Sequence, residues 1–103
     1  MKPIRTHHEA ETEIRAALSW YENERPGLGR ELWDQLQHTF GLISEHPAIG
    51  SIVHRVIIRG TARRVPLRRF PYFVVYREHA DHIEVIALAH TSRRPCYWRS
   101  RSA

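Results

Sequence analysis

The sequence predicts an α+β domain: an N-terminal antiparallel helical hairpin over about residues 8–47, packed on a small twisted antiparallel β-sheet built from about residues 48–98. Three observations predict it. Apolar residues recur at 3.6-residue spacing in the first half, β-branched and aromatic runs replace that pattern in the second, and a Pro-Gly cluster interrupts the helical part. The apolar stripes of two helices cannot all be satisfied by each other, so the pair needs a sheet to cover. With 103 residues, 42% of them hydrophobic and 26% charged, the chain fills one globular domain, 1–103, with no room for a second. Any site on a domain of this size is expected to be a shallow groove, because there is too little interior for a deep cavity.

In the first helix Ala10, Ile14, Ala17, Leu18 and Tyr21 share a face, and Thr6 to Glu9 has the spacing of a capping box. Asn23 to Gly29 breaks the pattern at Pro26 and Gly27, which predicts a tight connection. Leu32, Leu36, Phe40 and Ile43 restart the stripe with Trp33 beside it. Pro47 then ends the helix, because the residue before a proline avoids helical angles.

The strands follow. Pro3 to Arg5 admits a short N-terminal strand, and Gly50 to Gly60, with Val53, Val56, Ile57 and Ile58 but no clean alternation, reads as a loop with some strand character. Arg63 to Arg69 reads as a strand whose Pro66 cannot donate to a ladder and so belongs at an edge or a bulge. Tyr72 to Arg77 and Ile83 to His90 form a hairpin through Glu78 to His82, the second strand being the central one. Tyr72, Val74 and Tyr76 are expected to face the helices.

Charge divides the chain. Residues 1–47 hold five basic and eight acidic side chains, a net of −3, whereas residues 48–103 hold eleven arginines against Glu78, Asp81 and Glu84, a net of +8. Fifteen of the sixteen basic residues are arginine, whose planar fork suits carboxylate or phosphate, so a polyanionic partner is expected. One cysteine forbids an internal disulfide, and neither a signal pattern nor an apolar run of spanning length is present. A cytoplasmic protein without membrane contact is the expectation.

The run Arg64 to Tyr76, the strand Ile83 to Ala89 and the segment His90-Thr91-Ser92-Arg93-Arg94-Pro95-Cys96-Tyr97-Trp98 together resemble the RelE/ParE toxin superfamily, specifically its ParE-like members. Trp20-Tyr21, Pro26 to Gly29 and His46 to Gly50 extend the likeness over most of the chain in the family's order. The resemblance implies a helical hairpin on a small antiparallel sheet. It also implies a cognate antitoxin whose acidic, partly disordered segment wraps and neutralises the toxin in a hetero-oligomer, and no cofactor. ParE-like members act on DNA gyrase and stall it with broken DNA, with no known active-site reaction of their own. RelE-like members cleave mRNA in the ribosomal A site.

The nuclease set looks incomplete here. RelE-like enzymes place an arginine directly after the tyrosine that opens the central strand, where this chain has Phe73 after Tyr72, and Thr91 and Ser92 separate His90 from Arg93. Under the endoribonuclease alternative His90 is a general base, Arg93 the cation and Tyr97 the acid or orienting group. Otherwise His90 holds the C-terminal segment. A third reading is a non-toxic module that only binds the antitoxin.

For the favoured gyrase inhibitor, the residues expected to meet target or antitoxin are Arg63, Arg64, Arg68, Arg69, Arg93, Arg94 and Trp98. Alternation places Arg64 and Arg68 on one face with Arg63 and Arg69 opposite, where edge charge also deters aggregation. Tyr97 and Trp98 are expected to pin the last segment to the sheet, with Arg99 and Arg101 in a mobile tail. Eight histidines do not fall at metal-ligand spacing with Cys96, so no metal is expected.

Overall fold

The change from helical to strand periodicity near residue 47 sets the element order. β1 (Ile4–Thr6) leads into α1 (His8–Glu24) and α2 (Leu28–Glu45), and β2 (Ser51–Ile52), β3 (Ala62–Pro66), β4 (Tyr72–Glu78) and β5 (Ile83–His90) follow. The computed structural model describes residues 1–53 and 61–101, so the strand character expected at Val56, Ile57 and Ile58 lies outside the described residues.

The strands form one sheet in the order β1-β5-β4-β3-β2. β2 to β5 are an antiparallel meander, but β1 runs parallel to β5, with Ile4 opposite Ile83 and Thr6 opposite Val85. The sheet is therefore mixed. A parallel pair needs a long crossover, and everything between β1 and β5 supplies it.

The pairing of β1 also moves the helix cap. Thr6 belongs to the strand, so the capping box from Thr6 does not form; His7 is the N-cap and its Nδ1 accepts the Glu9 N–H at 3.2 Å. At the other end of the hairpin, Gly27 takes φ 92°, a left-handed turn conformation. The Glu22 carboxylate on α1 accepts the Gly27 and Gly29 N–H groups at 3.0 and 3.1 Å, satisfying two free amides at the start of α2.

The expected apolar stripes are buried. Ala10, Ile14, Ala17, Leu32, Leu36 and Ile43 pack on Val74, Tyr76, Ile83, Val85 and Leu88. Ala62, Val75, Ile86, Ala87 and Ala89 form a second cluster on the opposite face, under Trp98. β5 is thus covered on both faces, which is why its sequence is continuously apolar. Its alternation is broken by a bulge: Val75 pairs with Ala87 and Tyr76 with Val85, so Ile86 is an extra residue.

β3 stops at Pro66, short of the expected Arg69. The chain turns tightly there, with Arg69 at φ 69° and the Tyr72 N–H on the Phe70 carbonyl at 2.8 Å. β2 pairs with Arg63 and Arg64 alone, so among the described residues no β2 residue pairs with Pro66 and its missing N–H breaks no rung of the β2–β3 ladder. No helix among the described residues is long and apolar enough to cross a membrane.

One phenol ties the second helix to the sheet. The fully buried Tyr76 hydroxyl donates to the Pro47 carbonyl at 2.6 Å and accepts the Gly50 N–H at 2.9 Å. Gly50 is required by that approach, because a Cβ there meets the Tyr76 oxygen at 2.8 Å. Tyr76→Phe leaves the buried Gly50 N–H and the half-buried Pro47 carbonyl without this partner, and a loss of about 2–3 kcal/mol is expected, measurable by urea unfolding. A loss below about 0.5 kcal/mol shows that water replaces the phenol.

Candidate functional site

The site grows from the uncovered half of β5. β1 pairs with β5 only as far as Val85, and the bulge at Ile86 then turns new backbone groups towards that open edge. Buried backbone groups need partners. Two side chains serve: the Glu13 carboxylate accepts the Leu88 N–H at 3.2 Å, and the Arg101 guanidinium donates to the Ile86 carbonyl at 3.2 Å. The two also bind each other in a fork, Nη1 to Oε1 at 2.8 Å and Nη2 to Oε2 at 3.0 Å.

Between β5 and Arg101 the chain crosses the helix-free face as a strap. Its turn begins with the Arg93 N–H on the His90 carbonyl, passes Cys96 at φ 59°, and buries Trp98 against the sheet. The Tyr97 hydroxyl donates to Glu13 at 2.6 Å. Burial first, and then that hydrogen bond, hold the phenol well above the ordinary tyrosine range. The tail expected to be mobile is therefore anchored at Arg101, whose side chain is 11% exposed, while Arg99 is exposed.

Strap and sheet enclose a groove of about 350 Å³ on the helix-free face, lined by Phe73, Val75, Ala89 and Trp98 and bordered by Arg64, Arg93 and Arg94. The Arg64 guanidinium stands 4.6 Å from the centre of the Phe73 ring and that of Arg93 4.0 Å from Tyr97. Such stacking presets the cations and leaves their N–H edges for a ligand. No carboxylate is among the described residues lining this groove. A cationic border over an apolar floor suits an amphipathic acidic segment.

The other expected arginines do different work. Arg63 donates to the Gly50 carbonyl at 2.9 Å and helps hold the loop after α2. Arg69 meets Glu31 at 2.9 Å, and Arg25 meets the same carboxylate, so the two hydrogen bonds hold Glu31 below the usual carboxylate range. Arg68 is exposed in the turn after β3, with no carboxylate partner among the described residues. Trp98 is 3% exposed and supports the groove from beneath.

His90, Arg93 and Tyr97 do come together, at the ridge between this groove and a second one on the helix side. Ser92 turns its N–H onto His90 Nδ1 at 3.0 Å and its hydroxyl to 2.7 Å, which assigns Nδ1 as an acceptor and leaves the proton of the neutral ring on Nε2. The role of Glu13 and the stacking of Arg64 on Phe73 are not marked in the sequence. In the sequence Glu13 is one of several acids on α1, and only its position opposite the open β5 edge distinguishes it.

Among the described residues one trio has metal-type donors within 4.8 Å of one another: His7, His8 and Glu9. His7 Nδ1 is spent on the helix cap and the Glu9 carboxylate lies 3.2 Å from Arg101 Nε.

A family model described as ParE toxin of type II toxin-antitoxin system, parDE, matches residues 4–95. Among solved structures, the chromosomal ParDE TA system from P. aeruginosa is similar, with a TM-score of 0.72 and 14% identity over 89% of this chain and 98% of that chain. At that identity the likeness shows the fold. No curated protein matches the sequence.

Proposed function

Because the chain belongs to the ParE toxin family of type II toxin-antitoxin systems, we propose that it is a toxin that inhibits DNA gyrase and is neutralised when the acidic segment of a cognate antitoxin fills the groove on the helix-free face. The observation that carries the antitoxin half is the groove itself: Arg64, Arg93 and Arg94 around Phe73, Val75 and Trp98, with no carboxylate among its described lining. Carboxylates of an amphipathic segment pair with the arginines while its apolar side chains cover the floor, a contact of the kind made when an unstructured segment folds on binding. Family membership supports the gyrase half.

The endoribonuclease alternative finds less support in the same residues. It needs a Tyr97 proton ready for the leaving oxygen, and that proton is held by Glu13 in a phenol whose acidity is suppressed.

Purified toxin incubated with gyrase, supercoiled plasmid and ATP is expected to trap double-strand breaks, revealed as linear DNA after protein denaturation and suppressed by the acidic partner. Absence of breaks from folded toxin, together with site-specific mRNA cuts that vanish in His90→Ala, overturns the gyrase reading for the nuclease one. Neither activity, with partner binding intact, leaves the non-toxic binding module.

A further inference from the structure

Trp20 lies on α1 with 57% of its surface exposed. Its ring meets the Tyr21 ring edge-to-face at 4.9 Å, and the rest of the indole faces water. It walls a groove of about 380 Å³ on the helix side of the sheet, which meets the one assigned above to the antitoxin at the shared ridge of His90, Arg93 and Tyr97 and is opened by the small side chains of Ala16 and Ala17. Tyr72 and His90 close it from the sheet, their rings edge-to-face at 5.1 Å.

The cation and the imidazole of this groove donate rather than accept, beside the two-way hydroxyls of Tyr21 and Tyr72. Arg93 stacks on Tyr97 at 4.0 Å and has no carboxylate partner among the described residues. His90 presents Nε2–H, because Ser92 occupies Nδ1. The one carboxylate in the lining, Glu13, is already engaged by Arg101, Tyr97 and the Leu88 N–H. A ligand here must therefore be flat, apolar on its faces and anionic at one end. An aliphatic acidic peptide has the charge without the flat face.

We propose that this groove binds a nucleotide unit of a single-stranded nucleic acid, with the base against Trp20 and the phosphate on Arg93 and His90. Base–aromatic stacking with a neighbouring arginine is sequence-tolerant and needs no Watson–Crick partner, so the strand must be unpaired. The proposal stands apart from the gyrase reading, since its test needs neither gyrase nor antitoxin.

The test is fluorescence anisotropy of full-length toxin with labelled oligothymidine and oligouridine of equal length, and with a DNA duplex, at low salt. Both single strands are expected to bind more tightly than the duplex, and a preference between them assigns DNA or RNA as the source. Trp20→Ala is expected to weaken binding about tenfold, with Trp20→Phe restoring most of it. Arg93→Ala is expected to lower the salt dependence by about one counterion. Trp33→Ala, which removes an exposed indole on α2 that does not line the groove, is expected to change nothing. Binding that is absent, that is equal for duplex and single strands, or that survives Trp20→Ala with circular dichroism unchanged overturns the proposal.

Discussion

Glu13→Ala is expected to destabilise the domain by about 3–4 kcal/mol, the largest single-residue effect foreseen. The carboxylate holds three donors at once: the Arg101 fork, the Tyr97 hydroxyl and the Leu88 N–H. Its removal strips the two-armed fork from a guanidinium that is only 11% exposed and leaves it Glu9 alone, 3.2 Å from Nε, as counter-charge. It also strips a hydrogen bond from the open edge of β5. In a domain of this size that corresponds to a fall in Tm of about 15–25 °C. Arg101→Ala is expected to cost less, about 1.5–2 kcal/mol, because Glu13 keeps its other two donors. The double variant should then be little worse than Glu13→Ala alone, the sign of a shared interaction. A Tm within 5 °C of wild type for Glu13→Ala removes the edge-capping role.

Reversing two arginines at the groove is expected to weaken antitoxin binding about 10³-fold. Arg64→Glu and Arg93→Glu each delete a charge-assisted contact worth about 1.5–3 kcal/mol and replace it with repulsion of an acidic segment. Both side chains rest on aromatic rings, not in ion pairs, so the fold should survive with an unchanged Tm. Titration calorimetry with the partner reads the loss, which should appear mainly as faster dissociation. Arg68→Glu, outside the groove lining, serves as the comparison and should shift affinity by less than about threefold. If the double variant binds within threefold of wild type, the antitoxin segment lies elsewhere.

The sequence made the architecture readable because local patterns and global packing agree. Ala10, Ile14 and Ala17, then Leu32, Leu36 and Ile43, sit on the buried face that their spacing required. Three features resisted. The parallel pairing of β1 depends on residues nearly eighty positions apart, which no local window sees. The capping role of His7 depends on that pairing, since a strand ending at Thr6 leaves the next residue to start the helix. β3 ends at Pro66 because the turn around Arg69 takes a left-handed backbone that an arginine does not advertise.

The site was legible as chemistry but not as geometry. The excess of arginine in the second half is plain in the sequence. Which arginines stay available is decided by neighbours such as Phe73, Gly50 and Glu31, which the linear order does not bring together. Arg101 shows the limit best. A cation in the last few residues reads as a frayed tail, and only the unfilled edge of β5 reveals why it is buried.

That distant closure has a consequence in time. β1 cannot find its partner until β5 has been made, and Ile4 and Ile83 are 79 residues apart. At about 5–20 residues per second, synthesis alone separates them by about 4–16 s. Such non-local pairing is also intrinsically slow to form once the chain is complete. The emerging polypeptide therefore has helices before it has a finished sheet, and Arg101 can close the open edge only once β5 has formed. Under the proposed function, that interval is one in which a pre-existing antitoxin meets the chain before its sheet is complete.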